Sequence, residues 1–90
     1  LLGELALLRN DPDSALPLLS EALAMHTAVL GPDHWRAARD QSALGACLRR
    51  LGRDDESRQL LGSAVTVLTA RRPPGDRDAR AAQMRLAALP

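Results

Sequence analysis

Ninety residues make at most one small domain, and twelve basic against eleven acidic side chains leave a formal net charge of +1. Nothing in that balance calls for nucleic acid or an acidic membrane as a partner. The single Cys47 excludes an internal disulfide framework, and no stretch is long or apolar enough for a transmembrane helix or a signal-peptide core. Leu and Ala dominate the hydrophobic content, Ile, Phe and Tyr are absent, and Trp35 is the only aromatic residue, a composition that favours helices over strands.

Apolar spacing and punctuation predict five helical segments. Residues 1–9 are apolar and stop at Asn10-Asp11-Pro12, a turn sequence. The second helix is expected from Asp13 or Ser14 to Leu30, with Ala15, Leu18, Leu19, Ala22, Leu23, Val29 and Leu30 at three-four spacing and His26 completing the stripe. With that N-cap Pro17 falls in the first turn, where few backbone donors have an intrahelical partner to lose. Gly31-Pro32-Asp33 ends the helix and starts the next, Gly31 as C-terminal cap and Asp33 as N-cap. The third helix covers about 34–51 and closes at Gly52-Arg53. Asp54-Asp55-Glu56 opens a fourth that reaches Arg71, with Leu60, Leu61, Ala64 and Leu68 inward, acid at its start and Arg at its end as the helix dipole favours. After Arg72-Pro73-Pro74-Gly75-Asp76 a last segment, 77–89, puts Ala81, Met84 and Ala88 on one side, with Leu86 and Leu89 beside them.

The chain also repeats. At an offset of about 42 residues, Leu2-Gly3 returns as Leu44-Gly45, Leu18-Leu19 as Leu60-Leu61, Ala22 as Ala64, Thr27-Ala28 as Thr69-Ala70 and Pro32 as Pro74. Self-similarity at such a period is the signature of stacked helix pairs. The expected fold is all-α, an α-α superhelix of about two repeats plus one further helix. Repeat 1 would cover about 1–33, repeat 2 about 34–75, and a partial third repeat or cap 76–90.

In register, the pairs resemble the tetratricopeptide repeat, whose pattern has Leu-Gly in the first helix and then Ala, a large apolar residue and Ala in the second. Gly3 is followed by Ala15, Leu19 and Ala22, and Gly45 by Ser57, Leu61 and Ala64. Small residues belong where helices cross closely, and the large one fills the space beside them. The 42-residue offset and Leu30-Gly31-Pro32-Asp33-His34 resemble the kinesin-light-chain variety. His34-Trp35-Arg36, with Leu44-Gly45-Ala46-Cys47-Leu48 and Leu51-Gly52-Arg53, further resembles repeats that follow the kinase domain in bacterial serine/threonine protein kinases.

The resemblance implies a noncatalytic protein-protein interaction module whose first helices line a peptide groove. Carried over residue by residue, it puts Arg39, Ser42, Ala46, Arg49 and Arg50 on the groove side, with Glu4 and Leu8 before them and Met84 and Ala88 after them. Arg39, Arg49 and Arg50 could pair with carboxylate or phosphate, or be solvated surface charges, the last two serving the helix end. The implied partner is a protein, a peptide or neighbouring domains of the same chain, with no cofactor. The alternative is a structural cap or spacer of a regulatory enzyme such as a kinase, with no ligand of its own.

Other residues carry blander expectations. Two histidines without zinc-type spacing give no metal site; His34 would pack or hydrogen-bond where its helix begins. Cys47, among Leu44, Leu48 and Leu51, reads as a small buried hydrophobe rather than a nucleophile. Trp35 would either cover the preceding helix pair or be an exposed anchor, with packing preferred. No phosphate-binding Gly loop, carboxylate pair or Ser/His/Asp set is present. The all-Arg base content points to a GC-rich, bacterial coding sequence, and the chain reads as a piece of a longer array in a cytoplasmic setting.

Overall fold

The computed structural model describes residues 11–90, and over these the chain is all-α. The helices are α1 (Pro12–Leu30), α2 (Trp35–Arg50), α3 (Asp54–Arg71) and α4 (Arg77–Ala87). The predicted first helix, with Gly3, Glu4 and Leu8, lies outside the described residues. Short connections make α1 and α2, α2 and α3, and α3 and α4 successive hairpins. α2 also packs directly against α4, so it touches each of the other three described helices. Packing of a helix against the next helix but one is what stacking of helix pairs produces.

The caps explain the boundaries, and two of them differ from expectation. α1 is capped by Asp11, whose Oδ1 accepts from the Ser14 N–H at 3.2 Å, with Pro12 in the first helical position. An aspartate before a proline is a strong start, because the cap accepts an orphan N–H and the proline has none to orphan. The cap is therefore two or three residues earlier than the expected Asp13 or Ser14, and Pro17 lies in the second turn, inside the helix. There it deletes a hydrogen bond that would otherwise form. At α2 the cap is His34, not Asp33: its backbone is extended, and Nδ1 accepts from the Arg36 N–H at 3.1 Å. A ring nitrogen there does the work of an asparagine oxygen.

α2 ends in a Schellman turn. Arg53 N–H donates to Leu48 C=O at 2.9 Å and Gly52 N–H to Arg49 C=O at 3.0 Å, which requires the left-handed φ of 78° at Gly52. α3 starts at Arg53 without a side-chain cap; Asp54, Asp55 and Glu56 in its first turn face the positive end of the dipole instead. The α3–α4 link is a type II turn, Asp76 N–H to Pro73 C=O at 3.1 Å, with Pro74 and Gly75 (φ 78°) at its corners. Asp76 then caps α4, accepting from the Asp78 and Ala79 N–H groups.

The core has two parts. Ala15 and Leu19 of α1 meet Ala43, Leu44, Cys47 and Leu48 of α2. Ala38 of α2, Ala64 and Leu68 of α3, and Ala79 and Ala82 of α4 form the second part, with Trp35 packed on its edge. In α4 the inward residues are Ala79 and Ala82, which the sequence did not single out, while Met84 and Ala88, expected on the groove side, are exposed. The close crossing of α2 and α3 is made by small residues: Ser57 is fully buried and its hydroxyl donates to Gly45 C=O at 2.6 Å.

Candidate peptide-binding surface

Residues 35, 39, 42, 46 and 49 of α2 recur at three-four spacing and form one stripe along the helix. Trp35 begins it and is half-buried; Arg39 and Ala46 are half-buried, and Arg49 is exposed with its neighbour Arg50. Arg39 and Arg49 are ten residues apart, roughly 15 Å along the axis, so only an extended segment could span both.

Ser42 is placed differently from expectation. It is buried, 2% exposed, and its hydroxyl accepts from Arg85 Nη1 of α4 at 2.8 Å. The serine that was expected to face a ligand therefore faces the next stacked helix. Arg85 was not singled out in the sequence, because its role depends on a partner 43 residues away. Met84, the residue before it in α4, is a large apolar side chain that is 69% exposed. Glu4, the remaining expected groove residue, lies outside the described residues.

At the N-terminal end of the stripe cations gather on one ring. The guanidinium carbons of Arg72, Arg36 and Arg39 lie 4.4, 5.0 and 5.5 Å from the centroid of Trp35, and His34 stacks beside it at 5.7 Å. Trp35 does pack, as expected, but it also organises charge, since guanidinium groups are attracted to the indole face. Arg72 donates through Nε to Asp76 Oδ1 at 3.2 Å, tying the ring to the cap of α4. Burial alone would push the Asp76 carboxyl up, but hydrogen bonds from Ala79 N–H, Arg72 and Asp78 N–H outweigh it and hold it below the usual carboxylate range. Next to Trp35, an open cleft of about 520 Å³ is lined by the α1–α2 connection, from Leu30 to His34, and by Arg71.

Two further polar contacts tie α1 to α2. His26 Nδ1 lies 2.5 Å from Oδ2 of the fully buried Asp40, and Asp40 Oδ1 has no hydrogen-bond partner. His26 does sit on the inward stripe, but the acid it meets was missed, hidden in the polar run Arg39-Asp40-Gln41. The Cys47 thiol is fully buried and donates to Pro12 C=O at 3.1 Å. Burial raises its pKa, so it stays protonated and unreactive. Among the described residues no three His, Cys, Asp or Glu side chains are placed to hold a metal ion, and no helix is long and apolar enough to cross a membrane.

Of the family models compared with the chain, the tetratricopeptide repeat matches residues 1–70. Comparison with curated proteins and with solved structures returns no match. The matched segment spans α1, α2 and nearly all of α3, including the Gly45–Ser57 crossing and the large Leu61 beside it. With its helices packed as adjacent hairpins, this chain belongs to the tetratricopeptide repeat family, whose repeats generally act as protein-protein interaction modules.

Proposed function

We propose that the α2–α4 face takes a peptide or an extended segment of a protein partner, and that this region itself performs no catalysis. One observation carries the reading: α2 and α4 lie in direct contact, joined by Arg85 and Ser42, and Arg49 and Arg50 of α2 and Met84 of α4 are exposed. Cationic and apolar groups along one stripe suit an extended segment with acidic and apolar side chains. The 42-residue period and the linker Leu30-Gly31-Pro32-Asp33-His34 support assignment to the kinesin-light-chain variety, and His34-Trp35-Arg36 with Leu44-Gly45-Ala46-Cys47-Leu48 and Leu51-Gly52-Arg53 supports a place beside a bacterial kinase domain, with a cytoplasmic setting proposed alongside.

A second reading has its own support. Ser42 is spent on Arg85 and Arg39 lies against Trp35, which removes polar groups from the face and suits a structural cap. Selection of a random peptide display library on the 90-residue chain separates the two. Binding predicts enriched peptides whose affinity drops when Arg39, Arg49 and Arg50 are all changed to Ala in a variant with parental helicity. A cap predicts no enrichment, or peptides indifferent to the triple substitution.

A further inference from the structure

Met25, Val29 and Met84 are the large hydrophobic side chains left exposed among the described residues, by 55%, 75% and 69%. All three stand on α1 and α4, the outer helices of the described stack, which do not touch each other. On α1, Leu18, Ala22, Met25 and Val29 follow one another at four-three-four spacing, with Ala28 exposed beside them. They form a second apolar stripe, turned aside from Ala15 and Leu19, which are buried against α2. On α4, Met84 stands among Ala81, Ala87 and Ala88, small enough to let another helix approach closely. At the repeat offset Arg80, Met84 and Ala87 take the places of Ala38, Ser42 and Gly45, which are buried in α2 by contacts with α3 and α4. In α4 the same face is open.

Charge selects what covers it. α1 carries Asp13 and Glu21 and no basic residue but His26, whereas α4 carries Arg77, Arg80 and Arg85 against Asp78 alone. Glu21, Met25 and Val29 are spaced by four, and so are Arg80, Met84 and Ala88. Laid side by side in the same direction, the two rows put Glu21 on Arg80, Met25 on Met84 and Val29 on Ala88, each step rising about 6 Å along both axes. Neither Glu21 nor Arg80 has an ion pair with another described residue. Because α1 and α4 of one copy do not touch, the rows can meet only between copies. We propose that the chain associates with itself head to tail, α1 of one copy lying parallel on the outer face of α4 of the next, with Glu21 and Arg80 fixing the register. The two faces differ, so the contact is heterologous. One helix row on another covers less than the roughly 800 Å² per partner of a stable interface, which makes the association weak and concentration-dependent.

Sedimentation equilibrium of the 90-residue chain, from about 10 µM to about 1 mM, should show a weight-average mass that rises with concentration, with a midpoint on the order of 100 µM. Glu21→Arg and Arg80→Glu each set like charges against each other in every contact, and each should weaken association at least about threefold. An equimolar mixture of these two variants restores opposite charges wherever unlike copies meet, and should regain the mass of the parent chain, less so as salt is added. Met25→Gln with Val29→Gln should leave only monomer at parental helicity; if that variant loses helicity, the charge variants and their mixture still decide. Arg49→Gln with Arg50→Gln should leave the mass unchanged, so absence of a peptide site would not imitate absence of this contact. A chain that stays monomeric at the highest concentration, single charge variants that associate like the parent, or a mixture as dissociated as its components would each overturn the proposal.

Discussion

A β-carbon built on Gly45 would lie 2.7 Å from Leu61 Cγ, and Leu61 is fully buried with no room to retreat. Gly62, in the middle of α3, has nothing within 4 Å of the same position. Gly45→Ala should therefore destabilise the fold by roughly 1–2 kcal/mol, overpacking outweighing the gain in helix propensity. Gly62→Ala should stabilise it by up to about 1 kcal/mol. Urea melts of the two variants check both signs, and equal effects would show that the α2–α3 crossing is not as close as described. The Gly45 requirement is legible in the sequence because it recurs with Leu-Gly at the repeat offset. The His26–Asp40 pair is not: burial of an acid between an arginine and a glutamine follows from the orientation of α2 between two neighbours, which no local pattern encodes. His26→Ala would leave a fully buried carboxylate without its partner, and a loss of about 3 kcal/mol is expected in the same melts.

At the scale of the element, the four described helices lie where spacing and punctuation put them, while the N-caps of α1 and α2 were misplaced. Asp33 looks like a better cap than His34 by residue type alone, and Asp11 and Asp13 are alike in type; backbone conformation and the proline at the first position of α1 decide. Asp76 is the cap with the most to lose, since it serves two N–H groups and Arg72 together. Its folded pKa is depressed, so the stabilisation it gives is fully present above the unfolded-state value, roughly pH 4, and is lost as the pH falls through the folded value. Asp76→Asn should flatten the fall in melting temperature across that acid window, leaving the other carboxylates to account for what remains. A melting temperature as steeply dependent on acid as that of the parent chain would show that Asp76 does not hold α4 in this way.

For the whole molecule, the repeat was legible because close crossings admit few residue types, and those types recur. The faces left over for a partner were less so. Ser42 was read from its helix alone, yet its surroundings are completed by Arg85 from the next stacked pair, and Trp35 gathers cations both from its own helix and from Arg72, the residue that ends α3. Stacking decides which surface residues remain accessible, and stacking is a property of neighbouring repeats rather than of any one of them.

α2 is the one described helix in contact with all the others, whereas α1 and α4 do not touch each other. Expressed as amide hydrogen exchange, that arrangement makes α2 the last part of the chain to open. The amides of Ala43, Leu44 and Leu48 should exchange only through global unfolding, with a steep dependence on denaturant. Those of α4 should exchange through a smaller, shallower opening that leaves the α1–α2 hairpin closed. Native-state exchange followed by nuclear magnetic resonance would show two separate isotherms for the two helices. A single merged isotherm would mean that the hairpins open only together, and that loss of any one contact with α2 is felt at once by the whole stack.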